Sequence, residues 1–522
     1  MQTDQAKEFG KWRAFFWPIR RSELAKFFPL LLVFFFITLN YNLLRTFKDS
    51  IIVTAPNSGA EAIPFIKVWG ILPSALLLTF LFTRLANRFD REKVFYIMML
   101  LFLVFFFVFT FILYPLQDVL HPHALADRIQ AYLPMGLKGL VALFRNWTFT
   151  LFYIMSELWS TAIMSVLFWG FANEVTGVGE ARRYYGLLMI GANISSIVAG
   201  QLSHTFSRID YIPWIPYGTT KWEQSIFFMT CLILGCGILS LLVFRWLNRK
   251  IIGPSEKLQS ASIKKEKIRM SLRKNFSYLA NSKYLICIAL IVVTYNIAIN
   301  LIEVVWKNQI KAVYPDPSDF QGYMAQVTMA IGVISTFASL FISGNIIRCF
   351  SWTVSAMIPA VIMLVTGVAF FSFVVFQDYA FMTPLAATIG LTPTAFAIFL
   401  GGMQNVCART CKFTFFDPTK EIAFIPLNNE SKLKGKAAID GVGSRIGKSG
   451  GSLIHQGLLF VFSSLSVSAP YVGAIFLIII LVWILSVISL GKQFNDLVSR
   501  SEKLSVPTGD KPAFDKPAPI QG

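Results

Sequence analysis

Charged residues are scarce in this sequence, and the acidic ones are the scarcest. Asp, Glu, Lys and Arg together make up only 14% of the 522 residues, with 28 acidic against 47 basic side chains. A soluble protein would carry about a quarter. The chain is instead 55% hydrophobic, contains 50 Phe and has a mean hydropathy of +0.60. This composition excludes an ordinary soluble domain and predicts an all-α integral membrane protein with many crossings.

Cysteine and histidine are also few, with 6 and 4 copies. The cysteines lie in or beside apolar stretches, and only Cys407 and Cys411 are spaced to share one face of a helix. Such a pattern is typical of packing residues in a bilayer. The sequence contains no recognisable nucleophile, metal-ligand or redox constellation. We therefore expect a protein that is not an enzyme, holds no metal or cofactor and binds no nucleic acid.

Long apolar runs recur along the whole chain. The first begins near Phe27, after a polar and basic N-terminus that resembles neither a cleavable signal nor a transit peptide. About twelve runs are long enough to cross a bilayer. They lie near residues 27–45, 63–86, 94–115, 147–172, 184–204, 224–246, 284–306, 321–347, 352–376, 388–412, 437–462 and 471–491.

The basic segment 247–282 divides these runs into two six-helix halves, 27–246 and 283–492. Two such halves with a substrate site at the membrane midplane are the architecture of major-facilitator-like transporters. Lys and Arg concentrate in the basic segment and in the loops on its side, so the positive-inside rule predicts that both termini are cytoplasmic. The ends, 1–26 and 493–522, are polar, and we expect the second to be a disordered tail.

The stretch 434–451, KGKAAIDGVGSRIGKSGG, combines glycines with cations in an otherwise lipid-soluble chain. It fails as a phosphate loop, because the first glycine of Gly-x-x-x-x-Gly-Lys-Ser should fall at position 442, which is Val442. We predict a glycine-rich transmembrane helix that packs closely on a neighbour. Charges at membrane depth are costly, so Arg445 and Lys448 should face a wet cavity, a partner or an anionic substrate.

Other polar residues also fall inside the predicted spans. Those further inside are Glu157, Asn193, Asn296 and Glu303, and those nearer to span ends are Arg45, Lys48, Lys67, Lys307, Arg409 and Lys412. Residues near span ends either reach the interface by snorkelling or serve the function. Glu157 and Lys448 are central, so they form structural ion pairs or take part in transport. Asn193 and Asn296 make interhelical hydrogen bonds or contact a substrate. Together, several cations and two carboxylates at depth indicate a pathway for an anion.

Four stretches resemble the nucleotide transporter (ATP/ADP translocase) family of plastids and obligate intracellular bacteria. They are NYNLLRTFKDSIIVTAPNSGAEAIPFIK, SELWSTAIMSVLFWGFANE, FFDPTKEIAFIPL and KGKAAIDGVGSRIGKSGG. The resemblance covers most of the chain and is strongest to chlamydial members. It implies twelve helices, exchange of cytosolic ADP for host ATP, and no homology to mitochondrial carriers. The two lysines and two glutamates that the family uses for transport match Lys67, Glu157, Glu303 and Lys448.

Residues and resemblance together predict an ATP/ADP antiporter that works by alternating access, in a bacterial inner membrane and as a monomer. Cations would hold the phosphates, asparagines the base or ribose, and the carboxylates would limit the positive charge of the empty cavity. Phosphate is a candidate companion of ADP, and a proton-coupled importer of other nucleotides on the same fold is the alternative. The predicted substrate contacts are Lys67, Glu157, Asn193, Asn296, Glu303, Arg445 and Lys448.

Overall fold

A computed structural model describes residues 19–251, 282–342, 351–427 and 443–505, together with three isolated positions between the last two ranges. Within these residues the chain forms helices joined by turns and short irregular segments, and no strand occurs. In this part of the chain, 10 helices are long and apolar enough to cross a membrane. The prediction of an all-α membrane protein is therefore confirmed.

The long helices follow the predicted order. In the N-terminal half they are α1 (Arg21–Thr54), α2 (Ala62–Arg88), α3 (Arg91–Leu113), α4 (Trp147–Val175), α5 (Val178–Arg208) and α6 (Lys221–Ile251). In the C-terminal half they are α7 (Lys283–Val313), α8 (Pro317–Phe341), α9 (Trp352–Phe376), α10 (Pro393–Cys411), α11 (Ser444–Phe462) and α12 (Leu465–Ser505). Between α3 and α4 lie the short helices Gln117–Leu120, His123–Tyr132 and Lys138–Arg145.

The predicted count of twelve crossings remains a prediction. Helices α10 and α11 coincide with two predicted spans but are not among the helices that are apolar enough to cross by composition. Helix α12 continues to Ser505, well into the segment 493–522 predicted as a disordered tail. Most of the predicted basic loop 247–282, the first part of segment 1–26 and most of the stretch before α11 lie outside the described residues.

Side chains at the helix starts define where several spans begin. Thr220 precedes α6, and its hydroxyl accepts a 3.2 Å hydrogen bond from the Glu223 backbone N–H. The Glu223 carboxylate in turn accepts from the Thr220 backbone N–H, which completes a capping box. At α8, Asp316 caps the helix and Pro317 occupies its first turn. These residues satisfy backbone donors that would otherwise be unpaired at the membrane surface.

Aromatic side chains fill the space between helices within each half. In the N-terminal half the Phe152 ring lies 4.3 Å from the Phe109 ring and 5.2 Å from the Phe47 ring, measured between centroids. In the C-terminal half the Tyr295 ring stacks on Phe416 at 4.2 Å. Lipid is as apolar as these residues, so close packing and not exclusion from water holds the helices together.

The two halves meet along α5 and α8 at glycines. A Cβ atom on Gly200 would lie 2.7 Å from the Ala325 carbonyl oxygen and 2.7 Å from the Met329 backbone nitrogen. A Cβ atom on Gly332 would lie 2.8 Å from the Asn193 carbonyl oxygen. A larger residue at either position would push the helices apart. Glycine therefore permits contact between the two backbones across the interface.

Further hydrogen bonds join the halves at one end of the bundle. The Gln321 side-chain amide on α8 donates to Thr46 on α1 at 3.0 Å and to Ser203 on α5 at 2.5 Å. Its carbonyl oxygen accepts from Ser50 on α1 at 2.5 Å. On the other side of the bundle, Gln456 on α11 donates to the carbonyl oxygen of Pro64 at 2.9 Å.

We call this end of the bundle the joined end. Where both partners are described, all hydrogen bonds and ion pairs between the halves lie between this end and the level of Ser196, whose hydroxyl donates to the Thr328 carbonyl. At the opposite end, the ion pairs formed by described residues lie within one half, as in Lys26–Glu180. The polar contacts between the halves are thus concentrated toward one end, as far as described pairs extend, whereas packing between α5 and α8 continues beyond them.

Candidate functional site

A cavity of about 230 Å³ lies between the halves. Its walls come from α1, α2, α4, α7 and α11 and from the end of α10. Among the described residues that line it, seven are cations and two are carboxylates. The cations are Arg45, Lys48, Lys67, Arg409, Lys412, Arg445 and Lys448, and the carboxylates are Glu157 and Glu303. A cavity with this excess of positive charge is suited to bind an anion that carries several negative charges.

Helix α11 brings its cations to this cavity by packing on α7 through glycine. A Cβ atom on Gly447 would lie 2.7 Å from the Asn296 Cβ atom, and one on Gly451 would lie 2.9 Å from the Asn300 Cβ atom. The Asn300 amide also donates to the Lys448 carbonyl oxygen at 3.2 Å. The glycine face is thus buried against α7, and the basic residues lie on the face that borders the cavity, as the sequence predicted.

Six of the seven predicted substrate contacts line this one cavity, namely Lys67, Glu157, Asn296, Glu303, Arg445 and Lys448. Asn193 does not line it. That residue is 9% exposed and lies on α5, where its backbone carbonyl faces Gly332 of α8. The structure therefore brings together the charged residues and Asn296, but it leaves Asn193 at the contact between α5 and α8, outside the cavity.

The Glu303 carboxylate lies among three cations. The Lys307 ammonium is 3.0 Å and the Arg409 guanidinium 3.5 Å from one of its oxygens, and the Lys67 ammonium is 3.8 Å from the other. Lys67 comes from the N-terminal half and the other two from the C-terminal half. Glu303 therefore links the halves across the cavity and leaves each cation only partly neutralised.

A second cluster surrounds Lys48 on α1. Its ammonium lies 3.4 Å from the Glu157 carboxylate, 3.2 Å from the Asp49 carboxylate and 3.8 Å from the centroid of the Tyr153 ring. The other Asp49 oxygen lies 2.8 Å from the Lys307 ammonium. The Lys48 side chain is 5% exposed and those of Asp49 and Lys307 are 1% exposed. These are buried ion pairs, so each charge depends on its partners.

Other cavity cations have no such partner. The charged groups of Arg45, Arg445 and Lys448 form no hydrogen bond or ion pair with any described residue. Arg445 and Lys448 are exposed to the cavity side of α11. An anion that enters the cavity could therefore bind the charged groups of Arg45, Arg445 and Lys448 without first displacing a carboxylate.

Three residues outside the predicted site form ion pairs with its carboxylates, namely Lys48 with Glu157, and Lys307 and Arg409 with Glu303. Asp49, which was not predicted either, joins Lys48 to Lys307. Charge inside an apolar run was the available signal, and it marked the three cations only as residues near span ends. Helices α1 and α7 extend to Thr54 and Val313, beyond the predicted ends at 45 and 306. The two lysines therefore lie inside long helices, where they are held in ion pairs and do not reach the interface.

Solved structures share this fold. A bacterial homologue of the iron transporter ferroportin in an inward-facing state matches 91% of this chain and 100% of its own, with a TM-score of 0.58 and 12% identity. A D-xylose–proton symporter matches 90% of this chain and 97% of its own, with a TM-score of 0.52 and 12% identity. The fold is that of a major-facilitator-like membrane transporter, as predicted.

Sequence comparisons identify the family of transporters within this fold. A model of the TLC ATP/ADP transporter family matches residues 2–494. ADP,ATP carrier protein 1 of Chlamydia trachomatis is 43% identical over 497 residues, covering 95% of this chain and 93% of that protein. The chloroplastic ADP,ATP carrier protein 1 of Arabidopsis thaliana is 40% identical over 481 residues, covering 92% and 76%. The chain belongs to the TLC ATP/ADP transporter family.

Proposed function

We propose that this protein exchanges ATP for ADP across a membrane by alternating access. One observation carries the proposal: a member of this family holds seven cations against two carboxylates in a cavity between its halves. A nucleotide tri- or diphosphate supplies the negative charge that such a cavity lacks. It is a secondary transporter and not an enzyme, because binding and reorientation suffice for exchange.

Phosphate binding from both halves is the central step of the proposed cycle. Lys67 on α2 and Lys448 on α11 act as point charges on the phosphates, and Arg445 offers a guanidinium fork. Lys448 and Arg445 are ready to bind, whereas Lys67 must leave Glu303, 3.8 Å away. A nucleotide that contacts all three would draw α2 and α11 toward each other and close the cavity around itself.

The remaining predicted contacts have smaller roles in this cycle. Asn296 lines the cavity on α7, and its amide donates to the Val292 carbonyl, which leaves its carbonyl oxygen available to a ribose hydroxyl or a base. Glu157 and Glu303 hold cations in the empty carrier and so keep the cavity from being over-positive. Asn193 lies outside the cavity and is left out of the proposed nucleotide contacts.

The proposed setting is a bacterial inner membrane, with a monomeric carrier and both termini in the cytoplasm. The basic residues of segment 247–282 support this orientation through the positive-inside rule. In this orientation the joined end of the bundle faces outward. The cavity then faces the cytoplasm, where ADP would be loaded.

Phosphate would leave with ADP in the proposed cycle. ATP carries about four negative charges and ADP about three, so a simple exchange moves about one charge against an inside-negative potential. A second small anion removes that imbalance. Arg445 is the candidate for its contact, because this side chain is exposed in the cavity region one turn from Lys448.

The experiment is uptake of labelled ATP by liposomes that contain the purified protein. Liposomes preloaded with ADP should take up ATP, and empty liposomes should not. Parallel uptake of GTP, UTP and NAD defines the selectivity. A proton-coupled importer would take up nucleotide into empty liposomes when a proton gradient is imposed and would stop when the gradient collapses, which would replace the antiport proposal.

A further inference from the structure

Besides Lys67–Glu303, a second ion pair joins the halves at the edge of the cavity. Asp49 on α1 and Lys307 on α7 lie 2.8 Å apart, and both side chains are 1% exposed. Asp49 directly follows the cavity cation Lys48 toward the joined end. Lys307 lies about one helical turn further toward the joined end than the cavity carboxylate Glu303. Neither residue of the pair lines the cavity itself, so the pair borders the cavity on the side of the joined end.

The same pair is continuous with the carboxylates of the cavity. Asp49 shares Lys48 with Glu157, at 3.2 Å and 3.4 Å. Lys307 lies 3.0 Å from Glu303. An unbroken series of ion pairs thus runs from the N-terminal carboxylate, through the pair that joins the halves, to the C-terminal carboxylate.

Charge balance in this series depends on whether the cavity is occupied. The empty carrier has three carboxylates, and four cations lie within ion-pair distance of them, including Lys67 and Arg409 on Glu303. A phosphate that binds Lys67 and Arg409 withdraws two of those cations. Three carboxylates then share Lys48 and Lys307, and Glu303 competes with Asp49 for Lys307. An excess of buried negative charge is unstable, so the pair between the halves weakens.

We propose that Asp49 and Lys307 form the gate at the joined end, and that nucleotide in the cavity releases it by taking Lys67 and Arg409 from Glu303. The proposal rests on the proposed nucleotide exchange. Asp49, Lys48 and Lys307 are positioning residues, because they act through Glu157 and Glu303 and not on substrate. An empty carrier keeps its gate charge-balanced and closed, so it does not return without a counter-substrate.

The test compares coupled and uncoupled transport in liposomes preloaded with labelled ADP. Efflux is measured into medium that contains ATP and into medium without nucleotide. In the unaltered protein, efflux into nucleotide-free medium should be a small fraction of exchange. In Asp49→Asn, uncoupled efflux should rise about tenfold or more relative to exchange, as expected for the loss of a charge-assisted contact. Asp49→Glu should restore much of the dependence on external ATP.

A second readout follows the gate directly. The Ser58 backbone carbonyl at the joined end accepts a hydrogen bond from Lys311 of the other half. The variant Ser58→Cys should react faster with an impermeant thiol reagent when Asp49→Asn is also present than when Asp49 is kept. The same proteins with Ser58 retained give the background labelling. Addition of ATP should increase the labelling of Ser58→Cys when Asp49 is kept and change it little when Asp49→Asn is also present.

Two further variants keep the result interpretable. Asp127→Asn removes a 2.5 Å ion pair with Arg145 that lies within the N-terminal half, and it should change neither uncoupled efflux nor labelling. Asp49→Asn with Lys307→Gln removes both gate charges, avoids an isolated buried charge and should still be uncoupled if the single variant fails to fold.

The outcomes separate this proposal from the proposed function. Coupled behaviour in Asp49→Asn and in the double variant, at the level of the unaltered protein, would overturn the gate while exchange stands. Variants that bind ATP but neither exchange nor leak would overturn it as well. Failure of the unaltered protein to exchange ATP for ADP would instead remove the proposed function on which the gate rests.

Discussion

The cavity lysines differ in what holds them. Lys67 lies beside Glu303, whereas the Lys448 ammonium contacts no described carboxylate. An incoming nucleotide must therefore compete with a carboxylate for the first lysine but not for the second. It leads to one prediction for the two lysines and one for Glu303.

Alanine in place of Lys448 or Lys67 is expected to impair ATP exchange severely. Loss of one charge-assisted contact to phosphate costs about 1.5–3 kcal/mol, or roughly one to two decades in affinity. The measurement is the KM and maximal rate of ATP uptake into ADP-loaded liposomes, normalised to inserted protein. Lys221→Ala, at the start of α6 and outside the cavity, is the control. Exchange at the unaltered level in both cavity variants would contradict the phosphate clamp.

Glutamine in place of Glu303 should separate binding from turnover. It releases Lys67, Arg409 and Lys307 from a carboxylate, so the cavity becomes more positive and binds nucleotide more tightly. The KM for ATP should fall by about fivefold, as for one screened ion pair of about 1 kcal/mol. The maximal rate should fall too, because bound nucleotide leaves more slowly. A higher KM with an unchanged maximal rate would refute this role.

At the scale of the element, α11 combines packing and charge in one helix. Gly447 and Gly451 bring it against α7, and this contact orients Arg445 and Lys448 toward the cavity. The position of the cations therefore depends on the absence of side chains on the opposite face. A glycine substitution on that face should affect transport through geometry alone, since it changes no charge.

Gly447→Ala is expected to lower both thermal stability and exchange. The new Cβ atom would meet the Asn296 Cβ atom at 2.7 Å and the Val293 carbonyl oxygen at 2.8 Å. Overpacking of this kind costs about 1–3 kcal/mol. Gly457→Ala on the same helix is the matched control, because a Cβ atom there meets nothing within 4 Å. Thermal unfolding in detergent and exchange in liposomes should change in the first variant only.

The glycine spacing and charges of α11 were sufficient to predict a packed helix with cations facing a cavity. Most predicted spans likewise coincide with helices, because long apolar runs have few other solutions in lipid. The ion pair between Asp49 and Lys307 could not be predicted, since its partners are far apart in sequence and meet only when the halves pack. For the same reason Arg409 was noted only as a residue near a span end, although it contacts Glu303.

At the scale of the whole molecule, the two ends of the bundle differ. Described hydrogen bonds and ion pairs between the halves are concentrated toward the joined end, and the Lys67–Glu303 pair lies within the cavity. The structure thus corresponds to one stage of an alternating-access cycle. The side of the membrane that the joined end faces decides from which side the cavity is accessible, and labelling can measure it.

Both termini and segment 247–282 are expected to be cytoplasmic, because basic residues concentrate there. A cysteine placed in this segment should resist an impermeant thiol reagent in intact cells and react after the membrane is opened. The exposed Trp214, between α5 and α6, offers a matched site on the opposite side, where a cysteine should react in intact cells. The reverse labelling pattern would overturn the orientation.

Membrane voltage provides the second test at this scale. If ATP enters against ADP alone, an inside-negative potential opposes uptake by about 2.3 kcal/mol per charge per 100 mV. We expect internal phosphate to accelerate ATP uptake into ADP-loaded liposomes and to reduce its dependence on an imposed potential. Arg445→Ala should lose this phosphate effect and should weaken ATP/ADP exchange without abolishing it, because Lys67 and Lys448 still contact the nucleotide. Uptake that ignores phosphate and follows voltage as a one-charge exchange would exclude the idea.

The glycine contact between α5 and α8 has a mechanical consequence. At Gly200 and Gly332 the backbones touch, so the halves cannot be pressed closer there and lose packing if they part. The contact between α5 and α8 therefore acts as the pivot when the halves rotate. Helices α2 and α11, on the opposite side of the cavity, then move furthest. The distance between spin labels on α5 and α8 should stay almost constant, whereas the distance between labels on α2 and α11 should show the largest change during the cycle.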